Sequence, residues 1–252
     1  MWPDPRSVYS WRTRKRTASC TTPLSYGQIQ ECISFTQLSL EAYEATKDEQ
    51  LLRDAYEGCV KWDRWLTANR MTLGTGLIEL FCEFDTGHDN SRRLAGLPKG
   101  CVDRYGKKRK FLSILISNLF QEHLLDQDMA DSIYERHMKN PREFWTPYPF
   151  PSMTISDPAS VQDLEGNSWG FYSQGLTALR TLRWMDYYGK SEDLEYLMRR
   201  WVSAMVLSED LQFAQELHPV TGKLSKSSPW YSSSMLFFIS SVRRLGLLEE
   251  NL

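Results

Sequence analysis

Apolar positions recur at three- and four-residue intervals along most of the chain, a period that predicts α-helices. From Tyr26 to Ala45 the spaced residues are Ile29, Ile33, Leu40 and Tyr43, and from Glu49 to Asn69 they are Leu52, Tyr56, Cys59 and Leu66. The short polar joint Thr46-Lys47-Asp48-Glu49 makes these two helices an antiparallel hairpin. Further helices are predicted from about Phe111 to Leu124, from Gln127 to Met138, from Tyr172 to Tyr188, from Glu192 to Val206 and from about Trp230 to Leu245. In the Tyr172–Tyr188 segment Leu176, Leu179, Leu182 and Met185 form one apolar stripe. No alternating run of strand type is longer than a few residues, so the fold class is all-α, built from helical hairpins.

Between the helices lie three irregular stretches, and loops carried by rigid elements are where function concentrates. The first runs from Asp85 to Pro98, behind the helix-breaking Leu73-Gly74-Thr75-Gly76-Leu77. The second, Trp145 to Gly170, contains Pro147, Pro149, Pro151 and Pro158, which forbid regular structure, yet also holds Trp145, Tyr148 and Phe150. The third runs from Gln215 to Trp230.

Composition narrows the classes. With Lys+Arg 30 against Asp+Glu 32, no net field draws the chain to nucleic acid or to an anionic membrane. The longest apolar run, Phe111 to Phe120, falls well short of the roughly 20 residues that cross a bilayer. Five unclustered cysteines (Cys20, Cys32, Cys59, Cys82 and Cys101) without a C-x-x-C pair suggest reduced thiols. The basic start, Arg12 to Arg16, lacks a signal-type apolar core, so a cytoplasmic protein with a poorly ordered segment 1–22 is expected.

The three loops resemble, in order and wording, the motifs of the α-toroidal glycoside hydrolase clan that includes trehalases, processing α-glucosidases and mannosylglycerate hydrolases. Thr86-Gly87-His88-Asp89-Asn90-Ser91 is similar to the loop that supplies the clan's general acid, which implies that role for Asp89 and a sugar contact for Asn90. Asn167-Ser168-Trp169-Gly170, followed by Gln174, resembles a segment that lines the sugar pocket. Gln215-Glu216-Leu217-His218-Pro219-Val220-Thr221-Gly222 resembles the loop of the general base. Strict spacing puts Gln215 in the base slot, and Gln cannot accept a proton, so either Glu216 is re-aimed to serve as the base or the base is lost.

What the resemblance implies is an (α/α) toroid of six hairpins over residues 23–252, acting on α-linked glucosides or mannosides. Such a ring needs about a dozen helices and about seven are predicted here, the shortfall falling between 97 and 111. The toroid is therefore expected to be incomplete, and the chain a truncated family member.

Hydrolysis with inversion needs an acid for the leaving oxygen and a carboxylate to activate water, roughly 6.5–9.5 Å apart. Asp89 and Glu216 are the candidates, with Trp145, Trp169 and Trp230 as possible stacking surfaces and Asn167 and Gln174 as hydrogen-bonding groups. The expected partner is a carbohydrate, with no cofactor and no metal. Core packing is the bland alternative for each tryptophan, an Asx-turn for Asp89 and a solvated carboxylate for Glu216. Two rival functions are an inactive or sugar-binding relative, which Gln215 favours, and a metal-dependent phosphohydrolase built on Asp85, His88 and Asp89.

Overall fold

The computed structural model describes residues 35–71, 76, 114, 117–157, 160, 169–226 and 228–247. The segment 1–22 and the stretch between 97 and 111 lie outside these residues. The chain divides into two units, one comprising Met1–Asp89 with Leu94–Lys110 and the other Asn90–Arg93 with Phe111–Leu252. What is described is mostly helical, with one sheet of two short strands.

In the first unit, α1 (Phe35–Thr46) and α2 (Glu49–Arg70) pack together as the expected hairpin, although Ile29 and Ile33 of the predicted first helix lie outside the described residues, Leu40 is exposed and Tyr43 is half-buried. The joint is only Lys47-Asp48. Asp48 starts α2 because its carboxylate accepts the Gln50 and Leu51 amides at 2.9 and 3.1 Å, satisfying donors that the first turn leaves without partners. Of the expected apolar face of α2, three residues, Leu52, Cys59 and Leu66, are half-buried around buried Ala55, whereas Tyr56 is exposed.

The second unit holds α3 (Ser117–Gln121), α4 (Gln127–Ile133) with a π-helical turn at Tyr134–Met138, α5 (Gly175–Thr181), α6 (Ser191–Val206) and α7 (Ser232–Arg244). Its two strands, β1 (Ser173–Gln174) and β2 (Glu216–Leu217), pair antiparallel, with Ser173 opposite Leu217 and Gln174 opposite Glu216. The core is aromatic: Phe120, Tyr134, Phe144, Phe150, Trp184, Tyr188, Trp201 and Phe237 are all within 2% of full burial. Trp184 sits at its centre, its ring 4.8 Å from Phe120 and 6.1–6.2 Å from Tyr134 and Phe150.

The Tyr172–Tyr188 segment departs from its predicted helix. Gln174 is extended (φ −103°, ψ 136°) because it pairs with Glu216, so α5 begins only at Gly175. Beyond Thr181 the chain continues in tighter turns, with Leu182, Arg183 and Trp184 donating three residues back. The buried face is also different. Leu176, Leu179 and Leu182 are only half-buried, while Thr177, Ala178, Thr181, Trp184, Met185 and Tyr188 face inward. Thr181 tolerates this because its hydroxyl donates to the Ala178 carbonyl at 2.6 Å.

Other boundaries shift for local reasons. Helix α3 stops at Gln121, and the left-handed conformation of His123 (φ 52°) just beyond it lets the Leu124 amide return to the Leu119 carbonyl, a Schellman-type stop without glycine. Trp230 lies outside α7, because Phe213 and Trp230 form a bridge in which Tyr231 donates to the Phe213 carbonyl. Long-range polar ties fix the helices: Tyr134 and Lys139 both reach Asp193 at the start of α6, and Arg244 grips Asp186, which Ser191 also contacts.

At Gly175, α5 lies tightly against Ser234 of α7. A Cβ placed there would lie 1.9 Å from Ser234 Oγ, which is fully buried and donates to the Ala214 carbonyl. Gly175→Ala is expected to destabilise the protein by about 1–3 kcal/mol, the usual cost of overpacking, read as a lower denaturation midpoint. Adding Ser234→Gly should restore part of that loss, since it removes the obstructing hydroxyl.

Candidate active site

The sheet of β1 and β2 brings together two of the three loops. Its centre is a buried pair: Gln174 and Glu216 are both fully buried, and the Gln174 Nε2 donates to Glu216 Oε1. Opposition across the ladder explains the contact, because residues facing each other on adjacent strands share a side of the sheet. A buried carboxylate costs several kcal/mol of lost hydration unless hydrogen bonds replace the water, and Gln174 supplies one of them. The other end of that amide is different: among the described residues, Gln174 Oε1 is buried without a hydrogen-bond partner.

Gln215, in the strict base register, is almost as buried as Glu216, at 5% exposure. Gln215 stands just before β2, and it is Glu216, within the strand, whose carboxylate accepts from Gln174. The Gln215 carbonyl accepts the Gly175 amide at 2.8 Å, which fixes the junction between β1 and α5.

Around the pair, backbone bonds tie the proline-rich stretch to the sheet. Ser152 and Met153 donate to the carbonyls of Tyr172 and Gly170, at 3.1 and 2.9 Å. Tyr148 donates to the Pro219 carbonyl, and its own carbonyl accepts the hydroxyls of Ser173 and Thr146. This stretch was expected to be an irregular, presented loop; it is irregular, but Phe150, Pro151, Ser152, Met153 and Thr154 are buried in it.

The remaining candidates separate. Trp169 is buried (7% exposed), lies one residue before the Gly170 carbonyl that Met153 engages, and adopts a left-handed backbone (φ 46°) that a bulky residue rarely takes. Trp145 packs instead on Tyr196, its ring stacked at 5.6 Å, and against Phe150. Trp230 is 67% exposed, with its ring 6.0 Å from Phe213. Asp89, Asn90 and Asn167 lie outside the described residues, as do Asp85 and His88. Among the described residues, no group of three or more His, Cys, Asp or Glu side chains is placed to hold a metal ion, and no helix is long and apolar enough to cross a membrane.

No protein-family model matches the chain, and no curated protein matches it in sequence.

One residue of the site went unassigned in the sequence. His218 follows β2, and its Nδ1 accepts the amides of Val220 and Thr221, each at 3.2 Å. Its ring meets Phe171 and Tyr172 edge-on, with centroids 5.2 and 5.7 Å away. Burial pushes its pKa below the usual histidine value, and the nearby Lys223 cation adds to the shift. The sequence signal was the His-Pro-x-x-Gly run, a turn signature with a side-chain acceptor at its first position.

Proposed function

We propose that this chain is a glycoside hydrolase of the α-toroidal type, cleaving α-linked glucosides or mannosides by inversion. The observation that supports the reading is the buried contact between Gln174 and Glu216, which stand 42 residues apart in sequence. The motif resemblance assigns both to one sugar pocket, and nothing in the local pattern of either segment demands that they meet.

In the proposed reaction Asp89 gives its proton to the leaving glycosidic oxygen while Glu216 takes one from the attacking water, which adds to the anomeric carbon from the opposite face. Gln174 holds one oxygen of Glu216, orienting the carboxylate. Its own Oε1, buried and without a partner among the described residues, is an acceptor that a sugar hydroxyl would satisfy. Trp169, Asn167 and Asn90 complete the proposed pocket, and Trp145 and Trp230 are assigned to its outer stacking surfaces. The described helices are, on this reading, part of an (α/α) toroid in a cytoplasmic enzyme that needs no cofactor.

A second reading, sugar binding without turnover, is favoured by two observations. Gln215 stands in the strict base position, and Glu216 is fully enclosed. Assay of the full chain and of Asp89→Asn on α-glucosides, trehalose and mannosylglycerate separates the two. Hydrolysis by the wild type that falls by about 10²–10⁴ in Asp89→Asn supports the enzyme. Sugar binding with no turnover supports the second reading, and equal rates for the two proteins reject Asp89 as the acid.

A further inference from the structure

We propose that His218 is the positioning residue of the loop that carries Glu216, acting as a neutral imidazole whose Nδ1 closes the turn Pro219–Gly222 and whose ring locks that turn to Phe171 and Tyr172. The geometry is that of an Asx-turn made by histidine. In an Asx-turn the Oδ1 of Asn or Asp accepts amides two and three residues ahead, and Nδ1 of histidine is the same number of bonds from Cα. Val220 and Thr221 are those two residues, and both donate to Nδ1 at 3.2 Å. A nitrogen that accepts has no proton of its own, so the ring is neutral and carries its hydrogen on Nε2.

The turn is closed from other sides as well. Gly222 donates to the His218 carbonyl and has a left-handed backbone (φ 73°) that glycine adopts without strain. A Cβ there would strike the Tyr148 ring at 2.2 Å, so the turn packs directly against the hydroxyl end of that aromatic. His218 also donates its amide to the Lys223 carbonyl, and Leu217 bridges Leu224, which together make a short hairpin. Its first strand is β2. The register of Glu216 against Gln174 therefore depends on how this turn is held.

A titratable residue in that place makes the loop sensitive to acid. Protonating Nδ1 replaces the acceptor with a donor that faces two amide hydrogens, so both hydrogen bonds are lost together. The groups facing the ring act in one direction: Phe171 and Tyr172 exclude water, and Lys223 adds positive charge, so both disfavour the imidazolium. The sign follows. With its folded pKa depressed, His218 contributes stability that is complete above the unfolded value of about 6.5 and is lost as pH falls through the folded one.

That the loop serves catalysis rests on the glycosidase reading, but that His218 orders it does not, and the test keeps the two apart. In the full-length wild type and in His218→Asn and His218→Phe, nuclear magnetic resonance follows the His218 ring nitrogens and the Val220 and Thr221 amide protons from about pH 8 to about pH 4. In the wild type the neutral ring is expected to carry its proton on Nε2, and both amides should move together as it titrates below about 6.5. The Asn variant keeps an acceptor that does not titrate, so its two amides should hold their hydrogen-bonded shifts throughout. The Phe variant should lose both at every pH.

A proton on Nδ1 at neutral pH, amides that ignore the ring's titration, or an unaltered pair of amides in His218→Phe would each overturn the proposal. Where turnover is measurable, kcat of His218→Phe should fall about a hundredfold below that of His218→Asn, and the Asn variant should lose the part of the wild type's acid limb that follows the His218 ring, keeping the part set by the base Glu216. Absent turnover removes the glycosidase reading and leaves the resonance result to decide the role of His218.

Discussion

Trp184→Ala is expected to cost about 3–5 kcal/mol of stability, the largest loss from any single truncation in the core. The side chain is wholly buried and touches Phe120, Tyr134 and Phe150, which come from α3, the π-helical turn and the proline-rich stretch. Removing it leaves a void bordered by rings whose backbones are pinned, so collapse recovers little. Domains of this size hold roughly 5–15 kcal/mol in total, so the variant should retain a folded state with a much lower denaturation midpoint and an unchanged denaturant slope.

Trp184→Phe separates the parts of that loss. Among the described residues the indole Nε1 has no hydrogen-bond partner, so the native tryptophan already bears the cost of an unmet donor in its core. Phenylalanine gives up volume but removes that donor, and should stay within about 1.5 kcal/mol of the wild type. Equal losses in the two variants would mean that the indole N–H is satisfied in solution and that its hydrogen bond, rather than ring volume, holds the centre together.

The contrast between well-read and misread elements has one physical origin. Helices α2 and α6 were legible to within a residue or so because each is long, amphipathic and bounded by local signals, Asp48 before one and Glu192 and Asp193 in the first turn of the other. The segment from Tyr172 was not, because Ser173 and Gln174 are held extended by a partner 42 residues away and Gly175 by its fit against Ser234, and no window of local sequence contains either fact. Its leucine stripe misled for a related reason. Threonines at 177 and 181 go inward because the core presses on that face and a backbone carbonyl satisfies the Thr181 hydroxyl, a choice that periodicity of apolar residues cannot anticipate.

For the site, composition and spacing alone gave only isolated carboxylates and tryptophans. Motif resemblance singled out Gln174 and the Gln215-Glu216 loop, with Gln215 in the strict base slot, and the ladder between β1 and β2 supplies the contact of Glu216 with Gln174. For Trp145 and Trp230, ring type alone does not distinguish a sugar platform from a packing unit; Trp145 stacks on Tyr196, and Trp230, 67% exposed, lies beside Phe213.

Replacing Glu216 by Gln is expected to lower glycoside turnover by about 10²–10⁴ while leaving the fold nearly unchanged. The substitution preserves shape, and the new side-chain carbonyl can still accept from Gln174 Nε2, so that donor keeps its acceptor, while the new amide puts two donors where an acceptor stood. What is lost is the capacity to take a proton from water. Glu216→Ala, by contrast, opens a void and strips the Gln174 Nε2 of its acceptor, and should lose stability by a few kcal/mol as well as turnover. Gln215→Glu tests the competing assignment by placing a carboxylate in the strict motif register. Position 215 is almost fully enclosed and the Gln174 amide is already engaged by Glu216, so the added charge has to be buried without that hydrogen bond. The expected result is a lower denaturation midpoint, no gain in turnover, and no rescue when it is combined with Glu216→Gln. A rise in turnover from Gln215→Glu would move the base to position 215 and reduce Glu216 to a structural partner of Gln174. That outcome would also explain the wild-type chain as a binder, because the residue at the catalytic position could not accept a proton.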